Sequence, residues 1–179
     1  LVLGSGGGVG TASVQIAKAL GAKVIAMVHR PSAVSFVESL GADVVLPLTD
    51  GWLDAVKQET GGRGVDLVVD PIGGPAFDDA IRAMATEGRL LVIGFAAGGI
   101  PTVKVNRLLL RNVSVVGVGW GEFVNRTPGA QAQVGAALAQ LVDAGLRPPA
   151  PVRFPLSDGA AALQALADGE INGKLVLEP

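Results

Sequence analysis

Gly4-Ser5-Gly6-Gly7-Gly8-Val9-Gly10 stands directly after the apolar Leu1-Val2-Leu3 and directly before Thr11-Ala12-Ser13-Val14-Gln15-Ile16-Ala17. An apolar run, a glycine turn and a 3.6-period segment, in that order, read as strand, loop and helix. Val9, Ala12, Ile16, Ala17 and Leu20 fall on one helical face, and Gly21 stops the helix in the usual C-cap place. Glycines let the chain turn tightly and let backbone approach a ligand closely. The helix start then offers unpaired N–H groups and a positive dipole end to an anion. The strict G-x-G-x-x-G spacing is not met; Gly4, Gly7 and Gly10 give G-x-x-G-x-x-G instead. The strand before and the helix after are the context that such a loop needs to hold a dinucleotide. Gly6, Gly7, Gly8 and Val9 are therefore the expected diphosphate-binding segment.

Outward from this loop, short apolar runs alternate with helical patterns. Strands are expected over Lys23–Val28, Asp43–Leu46, Val65–Val69, Arg89–Gly94 and Val113–Val118. Helices are expected over Ser32–Leu40, Trp52–Thr60 and Ala76–Thr86, the last stopped by Gly88, with a short one at Asn106–Leu110. The strands are nearly continuous in apolar residues, as burial on both faces requires. Two successive βαβαβ units predict an α/β fold with a doubly wound parallel sheet of the Rossmann type. After Trp120 the pattern changes. Gln131–Ala144 reads as an Ala-rich helix and the Pro-rich Arg147–Pro155 as extended chain. Ser157 reads as the N-cap of a helix through Ala167, and Lys174–Leu177 as a terminal strand. A boundary near Pro148 divides residues 1–147, the nucleotide-binding domain, from a return segment, 148–179.

The end of the second strand selects the dinucleotide. An NAD site usually places an acid there for the ribose hydroxyls. Here the strand ends Met27-Val28-His29-Arg30, and no acid occurs between Lys23 and Val37. A guanidinium fork matches a phosphate. Arg30, with His29 as a lesser contributor, therefore predicts NADP(H) rather than NAD(H). The rest of the cofactor wall is expected at the carboxyl ends of the strands, among Pro47-Leu48, Asp70–Gly74, Phe95–Gly99 and Gly119–Glu122. Asp70 could contact ribose or cap the following turn. Trp120 could line the pocket, anchor a subunit contact or belong to the core.

Composition removes several classes. The chain has 179 residues, 49% hydrophobic and 17% charged, too apolar for disorder. A net charge of −2 gives no basic field for nucleic acid or an anionic membrane. There are no Cys, which excludes a thiol nucleophile and a thiolate zinc site within the chain, and no Tyr, which excludes a tyrosine acid. One His cannot form a histidine cluster. Leu1 already belongs to a strand, so an upstream part is expected. No signal peptide is visible, and the apolar run from Leu90 to Pro101 is short and broken by Gly94, Gly98 and Gly99. A cytoplasmic setting fits. Val113–Val118 would be an apolar edge strand without charge, open to pairing with a second copy.

As a set, several motifs resemble the cofactor-binding half of the medium-chain dehydrogenase/reductase superfamily, in its quinone oxidoreductase-like (NADPH:quinone reductase) branch. They are Ser5 to Gly10 with Gln15-Ile16-Ala17, Leu40-Gly41-Ala42-Asp43, Val65 to Gly74, Gly88 to Gly94, Asn106 to Leu110 with Val116-Gly117-Val118, and Gly173-Lys174-Leu175-Val176-Leu177. The resemblance implies NADPH as cofactor, no zinc, reduction of a quinone or other conjugated carbonyl (an enone), and a homodimer. It implies cofactor contacts at Gly7-Gly8-Val9, His29 to Ala33, Pro71, Gly94-Phe95-Ala96, Val118-Gly119-Trp120 and Lys174. It also implies that 148–179 returns to a GroES-like catalytic domain that precedes this segment. Two departures stand out: Gly4 replaces a common Ala, and Ala33 sits where many members carry a phosphate-binding Lys. No catalytic acid is assigned within the chain, which alone is expected to be inactive. An enoyl reductase module, a zinc-type alcohol dehydrogenase half-chain, and a non-catalytic NADPH-binding sensor or structural protein are the alternatives.

Overall fold

The structure is a computed structural model that describes residues 1–179. Leu1–Leu3 forms the middle of a parallel sheet. Val2 bridges Ala26 on one side and Val69 on the other. The Val2 amide donates to Ile25 O at 2.9 Å, and the Leu3 amide to Val69 O at 3.0 Å. This segment joins β1 (Ile25–Val28) and β2 (Val44–Pro47) to β3 (Val65–Asp70), β4 (Met84–Val92) and β5 (Ser114–Gly117). The spatial order is β2, β1, Leu1–Leu3, β3, β4, β5, every pairing parallel. The doubly wound fold expected from the alternating pattern is the fold found.

Period-two alternation within the strands feeds two separate cores. Leu1, Leu3, Ile25 and Met27 face one side, with Leu53 and Val56 of α3 (Trp52–Glu59) and Phe77, Ala80 and Ile81 of α4 (Ala76–Ala83). Val2, Val24, Ala26 and Val28 face the other, with Val14 of α1 (Gly8–Ala19) and Val37 of α2 (Val34–Ser39). Both faces are covered, which is why these strands are apolar throughout. The chain changes sides between β2 and β3, so a crevice opens at the carboxyl ends of the central strands.

Three local expectations are corrected. The helix expected through Thr86 ends at Ala83, and β4 begins at Met84. Met84 pairs with Val65 before the register shifts, and the chain then turns through Glu87, at φ 66°, to bring Arg89 opposite Leu67. The burial of Met84 and Ala85 in the sheet outweighs their helix propensity. The helix expected over 32–40 splits into a 3-10 turn, Pro31–Ala33, and α2, because Pro31 opens the first turn. Ser157 is not an N-cap. Its hydroxyl donates to Asp158 Oδ1 at 3.0 Å, and Leu156–Asp158 form a 3-10 turn before α8 (Gly159–Ala167). A helix without a sequence expectation, α6 (Trp120–Arg126), follows β5.

Beyond these, α5 (Val105–Arg111) lies between β4 and β5, and α7 (Ala130–Asp143) follows α6. β6 (Val152–Pro155) and β7 (Leu175–Glu178) form a second, two-stranded parallel sheet, with α8 between them in sequence. This return segment touches the first sheet's loop directly: Gly7 and Gly173 form a parallel bridge, and the Gly173 amide donates to Gly6 O at 2.8 Å. No helix is long and apolar enough to cross a membrane.

Candidate functional site: the glycine loop and the strand edge

The loop after Leu3 is shaped by what a side chain would meet. Gly4 turns at φ +61°, a conformation that costs glycine little. The Gly7 amide closes the turn onto Gly4 O at 3.1 Å. Ser5, fully buried, donates its hydroxyl to Val2 O at 2.9 Å, and Thr11 donates to Ser5 O at 3.2 Å. Gly10 lies against the loop so closely that a Cβ there would sit 2.1 Å from Gly4 O. Gly7 is the N-cap of α1 and supplies no side-chain oxygen to its free amides. The helix therefore starts uncapped, with exposed N–H donors beside a bare backbone, as a diphosphate requires.

A cation stands at the same place. Lys174, from the return segment, lies over Gly8: a Cβ on Gly8 would be 2.9 Å from Nζ. An ammonium beside a positive helix end is unfavourable unless an anion comes between them. On the other flank, Arg30 at the end of β1 is half-buried. Its Nη2 makes long hydrogen bonds to Ile171 O at 3.4 Å and Asn172 Oδ1 at 3.3 Å. His29 is exposed beside it. Ala33 is buried against Gly6, which fills with a methyl the position where the family pattern has a lysine.

The other expected residues fall on the same edge. Pro71 follows β3 and accepts the Ala96 amide at 3.2 Å; Gly94, Phe95 and Ala96 follow β4, and Val118 and Trp120 follow β5. Trp120 is half-exposed and stacks at a tilt on Phe123 at 6.2 Å, so it is not a core aromatic. A cleft of about 650 Å³ opens along this edge. Gly4, His29 and Ala96 line it, together with Leu48, Trp52 and Ile72. The segment Thr49 to Trp52, with Pro75, Ala76 and Asp79, was not among the sequence candidates. The only hint was position, directly after a strand ending in Pro47. Arg30 and Lys174 stand outside this cleft, Arg30 against Ile171 and Asn172 and Lys174 over Gly8.

Asp70 resolves to the capping role. Its Oδ1 accepts the Ile72 and Gly73 amides at 2.9 and 2.8 Å, while Oδ2 is buried without a partner. Burial pushes its carboxyl above the ordinary aspartate value, and the two amides only partly oppose this. Above the unfolded value of 3.8 the folded state keeps a proton that the unfolded chain has released. The stability this group contributes is therefore complete below that value and is lost as pH rises through the raised one. Asp70→Asn removes the titration, so wild type should lose stability relative to the variant as pH rises from 3.8 through the raised value. Urea unfolding of both proteins across that range checks it; parallel profiles would refute it.

A doubly wound sheet with an uncapped glycine loop at its switch point defines a dinucleotide-binding domain. The comparisons give the family. Residues 8–138 match the family model described as "Zinc-binding dehydrogenase", and the chain belongs to that family, within the medium-chain dehydrogenase/reductase superfamily. Quinone oxidoreductase-like protein 2 of Bos taurus is 33% identical over 180 residues, covering 99% of this chain and 52% of its own length. The crystal structure of a probable oxidoreductase from Mycobacterium abscessus superposes with a TM-score of 0.88 at 57% identity, over 99% of this chain and 53% of that one. Mycobacterial Rv1454c complexed with NADPH superposes with a TM-score of 0.88 at 31% identity, over 99% of this chain and 56% of that one. The chain thus spans about half the length of these relatives. The resemblance read from the motifs is the family found.

Proposed function

We propose that the chain is the NADPH-binding part of a zinc-independent reductase that passes hydride to a quinone or another conjugated carbonyl. The observation that carries this is a pairing at one strand edge. A loop with no room for a side chain at Gly10 opens α1, and Arg30 stands just beyond β1 in a stretch with no acid between Lys23 and Val37. The NADPH complex of a 31%-identical neighbour supports the same reading.

In this proposal the segment Gly6, Gly7, Gly8 and Val9 holds the diphosphate, Gly7 by its bare backbone and the others by their amides, and Lys174 adds charge to that contact. Arg30, aided by His29, holds the 2′-phosphate. Pro71, Gly94, Phe95, Ala96, Val118 and Trp120 continue the same edge and orient the nicotinamide half. The bound nucleotide supplies the hydride. Reduction leaves a developing oxyanion that needs a proton and hydrogen-bond donors. With no Tyr and no Cys here, that proton comes from elsewhere in the full-length protein or from solvent. Residues 148–179 are then the return strand and helix of the catalytic domain, docked on the loop through Gly173.

Fluorescence titration of the chain with NADPH and NADH tests the first half: NADPH should bind the tighter. Absence of NADPH binding overturns the proposal. For the second half, the full-length protein should oxidise NADPH only when a quinone or enone is present, with no zinc found by metal analysis.

The homodimer belongs to the same proposal. β5 pairs only with β4, so its other edge is free, and Val116 on it and Val118 just beyond it are exposed. A charge at such an edge blocks strand pairing. Val116→Lys should convert a dimeric sedimentation mass of the full-length protein to a monomeric one. A monomeric wild type removes the dimer from the proposal.

A further inference from the structure

Arg30 is not left free at the end of β1. Among its side-chain nitrogens only Nη2 is engaged, and both of its acceptors come from one short stretch of the return segment, Ile171 and Asn172. Gly169 closes the guanidinium from behind: a Cβ there would sit 3.6 Å from Nε. Asn172 also lies beside the glycine loop, since a Cβ on Gly6 would be 3.6 Å from its Oδ1. The next residue is anchored, with Gly173 N on Gly6 O at 2.8 Å. A single amide oxygen thus stands between the loop and the guanidinium, on backbone fixed to that loop.

We propose that Asn172 is a positioning residue for nucleotide selectivity, holding the Arg30 guanidinium through Oδ1 so that Nε and Nη1 are presented to a 2′-phosphate. This rests on the NADPH reading above. The physical reason is entropic. A long Arg side chain at a strand end loses rotamer freedom on gripping a phosphate, and a partner that has already ordered it removes part of that cost. The partner's charge matters too. A neutral amide orients the guanidinium without cancelling its charge, whereas a carboxylate would neutralise it and repel the incoming phosphate.

The test compares Kd for NADPH and NADH, with 2′,5′-ADP and 5′-ADP as shorter probes, in wild type, Asn172→Ala, Asn172→Asp, Arg30→Ala and Arg30→Ala/Asn172→Ala. Asn172→Ala should weaken NADPH and 2′,5′-ADP about three- to tenfold and leave NADH and 5′-ADP within about twofold. Asn172→Asp should weaken the phosphate-bearing pair by more than Asn172→Ala does. On the Arg30→Ala background, Asn172→Ala should leave the NADPH/NADH ratio unchanged, because the coupling acts through Arg30. A wild type with no NADPH preference overturns the underlying reading and this inference together. A wild-type preference that Arg30→Ala abolishes, with Asn172→Ala changing both nucleotides equally or neither, overturns this inference alone. So does a loss of preference from Asn172→Ala that persists without Arg30.

Discussion

Arg30→Asp should weaken NADPH binding by roughly 100-fold while leaving NADH nearly unchanged. The substitution removes a charge-assisted contact and puts a carboxylate where a phosphate must sit. Loss of one partner of a hydrogen-bonded charge pair costs about 2–5 kcal/mol. Each 1.4 kcal/mol is about tenfold in affinity, so the lower half of that range already gives about 100-fold. The new carboxylate can also accept from ribose hydroxyls, which is the arrangement NAD sites use. NADH should therefore hold its affinity or gain. Arg30 makes only two long hydrogen bonds in the folded chain, both from Nη2, so folding should lose little. Parallel titrations of the two nucleotides, with a melting curve for each protein, separate binding from stability. Equal affinities in wild type, unchanged by the substitution, would remove the phosphate role from this residue.

Gly10→Ala should be the most damaging single methyl in the chain. Its Cβ would lie 2.1 Å from Gly4 O, 2.7 Å from Gly4 C and 2.7 Å from Ser5 Cα. All three are backbone atoms, so no side chain can rotate away. Relief requires α1 to move from the loop. That would strain the Thr11-to-Ser5 hydrogen bond and the uncapped amides around Gly7 and Gly8. Overpacking typically costs about 1–3 kcal/mol, and a backbone clash belongs at or above the upper end. For a chain of this size 3 kcal/mol lowers Tm by about 6–12 °C. NADPH binding should fall with it, because the amides that hold the diphosphate are the ones displaced. Gly21→Ala is the control. A Cβ at Gly21 meets nothing within 4 Å, so its cost is limited to φ +82°. If Gly10→Ala melts no lower than Gly21→Ala, the close approach of helix and loop is not what the glycine serves.

The acid-side behaviour of the chain has two signs. Hydrogen bonds from Lys18 and the Val24 amide hold Asp43 below the usual aspartate value, and a hydrogen bond from Arg63 does the same for Asp66. These groups contribute stability above 3.8 that is lost as pH falls through their lowered values. Asp70 acts in the opposite direction. Comparing wild type with Asp70→Asn isolates it, since the two other aspartates titrate alike in both proteins.

The local pattern of the chain sufficed for the fold and for the loop. Leu1-Val2-Leu3, Val24 to Val28 and Leu67-Val68-Val69 are apolar at consecutive positions, and only a sheet covered on both faces rewards that. Gly4 and Gly10 mark the turn, the first because φ +61° favours glycine and the second because a Cβ there would sit 2.1 Å from a carbonyl oxygen. The absence of an acid between Lys23 and Val37 singled out Arg30 by charge alone. What stayed hidden depended on partners distant along the chain. Met84 reads as helix until its pairing with Val65 is known. Asp70 could serve a ligand or a turn until its oxygen is seen on two amides and its other oxygen in the dark of the core. Asn172 carries no motif. Its meaning comes from contact with Arg30, 142 residues earlier, and no sequence period encodes a contact at that separation. Short-range sterics and burial are written locally, and so they can be read. The placing of one charged side chain by a segment from the other end of the chain is a property of tertiary packing.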